Sequence, residues 1–417
     1  MQIYIIKVYG DMSLKTLHNI PQEVESEVID NLHIVTSERV LNSRDIWNGR
    51  RLKDMFRSYR TKWNYYPFIG LFEQIEGLND QEYVVLCNFQ PSGAYSQLCK
   101  IACELTKLGG DASEAWDNAL NLEITGRYRI HLIQYQGFKR YIGEADKSKR
   151  VCRFCQESGE DIFKRDSHAI SAFLGNDYVF CNEECDKCNS DLTGVLERDL
   201  DNYYKVSRAL DRNLNRYSKK INVYGRNFHI DNTREIPIIE FYNKSGFDDF
   251  DGSSKEITLL GSDLVDIRNV YKCLVKFVIA TLPNEELAPF KNTIEWIKGN
   301  LCSEQLPPLY RYEECAEYVK PELGILIRKD NRTDVPYCVA RIGFLSNYYV
   351  FAVPYCQPLD VENSKLRDSL KNYFQLCKEN TDIYTIEDFN SDDKVFIETH
   401  KILYKHSIIL KDKNGII

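Results

Sequence analysis

Cys152 and Cys155, then Cys185 and Cys188, form two Cys-x-x-Cys pairs separated by twenty-nine residues. Each short loop can hold two thiolate sulfurs about 2.3 Å from one zinc ion, and the intervening chain can return the second pair to complete a tetrahedron. Five of the fourteen cysteines fall within the 37 residues from 152 to 188, so the cluster is not a by-product of overall composition. The fifth, Cys181, reads as a buried thiol outside the set. A redox pair is the competing chemistry, but it calls for a Cys-x-x-Cys that follows a strand and opens a helix in a βαβ unit, and neither pair does so. Among the seven histidines, His168 alone lies between the pairs. His18, His33, His131, His229, His400 and His406 have no metal-like spacing and read as structural.

The segment between the pairs is FKRDSHAISAFLGNDYVFCNEECDKCN, residues 163–189. Read as local structure, Asn176 after Gly175 is a turn residue, since both tolerate left-handed backbone, and Asn182 can cap the helix that begins NEECDKCN. As a whole the segment resembles the HNH endonuclease family in its zinc-stabilised form. The resemblance is carried by Cys152 and Cys155, by Ser-His-Ala-Ile at 167–170, by Leu174-Gly175, and by Cys185-x-x-Cys188 followed at once by Asn189. It extends over roughly residues 128 to 300.

That resemblance implies a fold and a reaction. The fold is α+β, with a central zinc-bound ββα-metal (HNH) module at 128–225, a mixed α/β segment of unknown role at 1–127, and an α+β domain at 226–417. The reaction is metal-dependent hydrolysis of DNA phosphodiester bonds, which needs a base to activate water and a divalent cation to stabilise charge on the phosphate. His168 takes the place of the base, with its other ring nitrogen oriented by an acceptor. Asn182 takes the middle position that braces the base and its loop, with Asn176 competing for it. Asn189 takes the third position, beside a Mg²⁺ or Mn²⁺ ion. Family members commonly carry Asp or Glu directly before the histidine as a cation ligand, whereas this chain has Ser167 there and Asp166 one residue earlier. Three outcomes stay open: the cation is held through Ser167 and water, a bend brings in Asp166, or the site has lost its chemistry and survives as a zinc-stapled nucleic-acid-binding or scaffold module. Similar nucleases occur in mobile elements and anti-phage systems, often beside an ATPase or sensor subunit, so the resemblance also implies such a protein partner.

The elements that must position these residues are partly readable. MQIYIIKV and EYVVLCNF read as strands, 47–63 and 94–108 as helices, and Asp111 as the cap of a third helix. RYRIHLIQYQ reads as a strand leading into the cysteine cluster. Residues 195–220 read as one long polar helix with Leu196, Leu200, Tyr203, Val206, Leu210 and Leu214 along one side. Ser262 reads as the cap of the next helix, Pro283 opens another that Gly299 closes, and ELGILIRK, PYCVARIGFL and NYYVFAVPY are spaced as an antiparallel meander. VFIET and HSIIL read as further strands.

With 417 residues, 43% of them hydrophobic and 28% charged, the chain is neither disordered nor fibrous, and its length favours more than one core, because single cores seldom exceed roughly 250–300 residues. No apolar run approaches the ~20 residues of a membrane span, and the start lacks the features of a secretory leader. The chain is therefore expected in the cytoplasm, with its cysteines reduced and no membrane partner. The net charge of −8 opposes nucleic-acid binding when taken as a whole. Residues 139–226, however, hold 17 basic against 15 acidic residues, so the remainder carries −10. Lys164, Arg165, Arg208 and Arg212 in this stretch are expected to meet phosphates. The acidic run FDDFDG at 247–252 reads as a loop, since it lacks the glycine and terminal glutamate of a calcium site.

Overall fold

The computed structural model describes residues 1–8, 12–17, 22–36, 44–59, 68–91, 93–210, 221–233, 238–242, 254–301, 305–313, 320–345, 347–356, 362–377, 384–391, 393–404, 409–412 and 415–416. Helices and strands are mixed along the chain, as an α+β class requires. Two units divide it: the first takes Met1–Arg129, Ile327–Pro336 and Lys365–Tyr384, the second Ile130–Leu326, Tyr337–Ser364 and Thr385–Ile417. Residues 130–225 and 226–326, expected in separate domains, thus belong to one unit.

In the first unit an antiparallel sheet runs in the order β2 (Ser13–Thr16), β1 (Gln2–Lys7), β4 (Tyr83–Cys87), β3 (Ile46–Asn48). Both main strands follow the apolar runs at their positions. Helices α1 (Gln22–Asn31), α2 (Gly49–Tyr59) and α3 (Ile69–Glu76) share one core with the sheet, in which Ile3, Ile5, Val28, Leu52, Phe56, Leu71 and Val84 meet. The Trp47 indole donates to Leu32 O at 2.8 Å in that core. The left-handed Gly109 (φ +92°) follows α4 (Gly93–Lys107), and the Asp111 carboxylate accepts the Glu114 N–H at the start of α5 (Ala112–Arg127).

The second unit contains the cysteine cluster. Its largest sheet begins with β5 (Tyr128–Ile133). A small sheet has the order β6 (Arg140–Ile142), β8 (Val179–Cys181), β7 (Ser167–His168), with β8 parallel to β6 and antiparallel to β7. Next come α6 (Asp186–Leu192), a π-helical turn at Thr193–Glu197, and α7 (Arg198–Leu210). The helix read from 195 therefore starts nine residues earlier, because the Cys185 sulfur accepts the Cys188 N–H and caps it. Val206 and Ala209 of α7 pack on β9 (Val223–Tyr224), β10 (Phe228–Asp231), β11 (Ile238–Phe241) and β12 (Ser254–Val265).

Ser262 lies within β12, and the cap of α8 (Ile267–Thr281) is Asp266, whose carboxylate accepts the Arg268 N–H at 3.1 Å. The correction has a physical cause: Ser262 lies in an irregularity between Leu260 and Leu264, on either side of which β12 pairs with the distant strand β18 (Val395–Tyr404). Every residue of α8 from Val270 onward is buried except Lys272, so α8 is the central helix of the unit. Gly299 (φ +85°) closes α9 (Lys291–Ile297). Strands β13 (Leu309–Glu313), β14 (Glu322–Arg328), β15 (Cys338–Phe344) and β16 (Asn347–Ala352) follow, then α10 (Asn363–Cys377), most of which belongs to the first unit. With β17 (Thr385–Glu387) they complete the large sheet in the order β17-β13-β16-β15-β14-β5, which contains the expected meander. The strand β18 (Val395–Tyr404) pairs with β12, and β19 (Ile409–Asp412) lies between β11 and β20 (Gly415–Ile416). The acidic run at 247–252 lies outside the described residues.

Gly49 opens α2 where a Cβ would sit 2.2 Å from Asn79 O. Gly49→Ala is expected to cost about 1–3 kcal/mol, the range for forced overpacking, read as a lower urea midpoint.

Candidate metal centre and hairpin site

The four sulfurs of Cys152, Cys155, Cys185 and Cys188 lie within 4.8 Å of one another, and those of Cys155 and Cys185 are 3.7 Å apart. Tetrahedral zinc with ~2.3 Å bonds sets its sulfurs roughly 3.8 Å apart, so these residues can hold a metal ion such as zinc. The first pair sits in a tight turn: Gln156 N–H bonds Cys152 O, Cys152 N–H bonds Glu157 O, and Gln156 itself is left-handed (φ +64°). The second pair opens α6. The N–H groups of Cys185 and Cys188 point at the sulfurs of Cys152 and Cys185, each at 3.4 Å.

Their electrostatics fit a cation. Hydrogen bonding from the Cys188 thiol, with backbone N–H groups behind it, draws Cys152 down to about 4, against burial. Cys188 is pushed up by that same hydrogen bond, then by burial and the charge on Cys152. Burial raises Cys185 to about 11. A divalent ion would favour the ionised form of its thiolate ligands.

Between the pairs run strands β7 and β8, and α6, which carries Cys188, follows directly. Ser167 pairs with Cys181 and His168 with Phe180 across β7 and β8, while Tyr141 pairs with Phe180 and Ile142 with Cys181 across β6 and β8. Alternation then separates two rows. Ile142, Cys181 and Ser167 are all buried, and Tyr141, Phe180 and His168 occupy the opposite face. The Ser167 hydroxyl donates to Glu184 O at 3.1 Å, and the residue lies on the buried row, turned away from the His168 face. Asp166 is exposed at the entry to β7.

His168 is half-buried, its ring centroid 4.7 Å from that of Phe180. Burial holds it below the ordinary imidazole range, while Glu197 and Asp166 pull the other way. Its imidazole is therefore neutral near pH 7, as a proton acceptor must be. The expected acceptor on its other ring nitrogen is not found among the described residues, and aromatic packing orients the ring instead. Bracing of the hairpin loop falls on Asn176: its amide donates to Ile170 O and Val179 O, and its carbonyl accepts the N–H groups of Tyr178 and Val179. Asn182 is buried just past β8, with its backbone N–H on Ile142 O. Asn189, on α6, accepts from the Thr193 hydroxyl at 3.4 Å.

Beneath the hairpin lies a network with no signature in the motif. Lys276 of α8, fully buried, sits 3.0 Å from Glu184 Oε1 and 2.9 Å from Glu197 Oε1. Glu197, at the end of the π-helical turn, also accepts from Ser171 and Thr193. Burial works to raise Glu197, but the charge of Lys276 and these hydrogen bonds outweigh it and hold the carboxyl low. Burial wins at Glu184, which is raised despite Lys276. A lysine within the largely apolar CLVKFVIATL, residues 273–282, was the available sequence signal, since such a charge demands a partner.

The expected basic set divides. Lys164 and Arg165 are exposed, their backbone N–H groups held by the Asp186 carboxylate. Arg208 is not a phosphate contact: it is buried, paired with Asp201 and stacked on Phe173. Arg212 lies outside the described residues. A pocket of about 800 Å³ lined in part by Val151, Arg153, Phe154 and Glu183 does not include His168.

Metal analysis of purified protein is expected to give one zinc per chain; Cys185→Ser should lose it and melt several degrees lower. Lys276→Ala strands two buried carboxylates and should cost about 3–5 kcal/mol in urea unfolding.

No helix among the described residues is long and apolar enough to cross a membrane. No family model, curated protein or solved structure matches the chain.

Proposed function

We propose that this chain is a metal-dependent endonuclease of the HNH type, with a structural four-cysteine zinc and a catalytic site on the outer row of the hairpin. The observation that carries the reading is the placement of a half-buried His168 at the end of β7, in a β7-β8-α6 hairpin whose flanks carry the two cysteine pairs. In this reading His168 takes a proton from water as the water oxygen bonds to phosphorus, and the bond from phosphorus to the departing sugar oxygen breaks. That oxygen leaves with a proton from solvent. A hard cation such as Mg²⁺ or Mn²⁺ would supply charge stabilisation on the phosphate, with Asp166 and the Asn189 side chain offering oxygens from the strand entry and from α6. Asn176 and Phe180 hold the loop and the ring.

A second reading is favoured by one observation. Ser167 is turned into the core, so the usual ligand position before the histidine supplies nothing to a cation, and a zinc-stapled module that binds nucleic acid without cutting it has the same construction. Plasmid cleavage separates the two. Wild type with Mg²⁺ or Mn²⁺ is expected to nick or cut, and His168→Ala to lose at least ~100-fold in rate, the low end for a removed general base. Undiminished cleavage by a folded His168→Ala variant overturns the assignment; DNA retention in a gel shift without cleavage under either metal selects the second reading.

A further inference from the structure

The outer row of the small sheet continues past the histidine into an aromatic and basic edge that the hydrolytic reading leaves unused. Tyr141, Phe180 and His168 stand side by side on β6, β8 and β7. The Tyr141 ring stacks on Phe180 with centroids 5.2 Å apart and planes 21° apart, and His168 covers the far side of the row. Phe180 is 5% exposed and Tyr141 45%. One face of the tyrosine is therefore fixed against the protein while the other is open to solvent. Lys139 is exposed, with Nζ 5.3 Å from the Phe180 centroid, and has no ion pair among the described residues. Phe138, beside it, is 60% exposed.

An exposed ring held parallel to a sheet row is ready to accept another flat group, and the price of fixing its orientation has already been met in folding. The nearby cations are Lys139 on one side and Lys164 and Arg165 leading into β7 on the other, where the carboxylates of Asp166 and Asp186 also lie. Two strand spacings, ~10 Å, separate Tyr141 from His168, a span suited to adjacent parts of one polynucleotide. A duplex offers phosphates to such a surface but hides the faces of its bases, whereas an unpaired strand offers both.

Resting on the proposed function, we propose that the substrate of this site is single-stranded nucleic acid, with an unpaired base stacked on Tyr141 and the neighbouring phosphate between Lys139 and His168. Phe180 is the positioning residue that aligns the two ends of the row.

The test measures binding separately from cutting. Fluorescence anisotropy of a labelled fifteen-nucleotide oligo(dT), and of a duplex of equal length, is followed with intact protein without added divalent cation. Tyr141→Ala is expected to weaken single-strand binding by about 5- to 150-fold, the range for one base stack. Tyr141→Phe should bind as wild type, since stacking needs no hydroxyl. Lys139→Ala should weaken binding and reduce its salt slope by about one phosphate contact. Thermal melts confirm that the variants fold. Unchanged oligo(dT) binding in Tyr141→Ala, or a preference for duplex that ignores Tyr141, overturns the proposal whatever the cleavage result. Tyr141-dependent binding with no cleavage under Mg²⁺ or Mn²⁺ leaves the platform standing and removes the nuclease reading. If cleavage occurs, Tyr141→Ala should raise KM for single strands with kcat retained.

Discussion

The second unit depends on a single buried ammonium. Lys276 sits at the centre of α8 with no exposure to solvent, where an unpaired charge would cost several kcal/mol. Its two partners come from places that otherwise have no common element: Glu184, in the link between β8 and the second cysteine pair, and Glu197, at the end of the π-helical turn. The requirement to neutralise one charge thus fixes the central helix, the hairpin and the long helix in a single arrangement. Glu184 also offers its backbone carbonyl to Ser167, so the same residue sets which side of β7 faces inward.

A second pair works in parallel beside the cysteines. Arg153, between Cys152 and Cys155, is buried; it donates to Ile279 O and Leu282 O at the end of α8 and to the Glu183 carboxylate. Glu183 in turn accepts from the Glu144 N–H and the Asn284 amide. The cysteine cluster is consequently tied to α8 on two sides, by the ion pairs of Lys276 and by the hydrogen bonds of Arg153 to Ile279 O and Leu282 O. Its geometry is held by the protein as well as by any ion it contains.

What was legible in the sequence had local causes. The paired cysteines advertise themselves by spacing, the strands of the first unit by their apolar runs, and the meander by three alternating segments close together. Along β7 strand alternation puts Ser167 and His168 on opposite faces, the first buried. What could not be read depended on distant partners. Ser262 looked like a cap because its strand partner, β18, lies more than a hundred residues away. Arg208 looked like a phosphate contact because Phe173, over which its guanidinium packs, becomes its neighbour only through folding; Asp201, its other partner, lies two turns back on α7. Glu184 and Glu197 carry no sign that a lysine 92 and 79 residues onward will claim them. The row from Tyr141 to His168 was hidden for the same reason: a parallel strand pairing joins residues from opposite sides of the cysteine turn.

The π-helical turn between α6 and α7 sets a rotational phase. One extra residue in a continuous helix turns everything after it by about 100°. Before the turn, the helix presents Cys188 to the sulfur cluster; after it, Val206 and Ala209 enter the core they share with residues of β9, β10, β11 and β12. A regular helix of the same sequence would satisfy one of these surfaces and misdirect the other. The irregular turn lets one rod serve two cores, with Glu197 at the point where the direction changes.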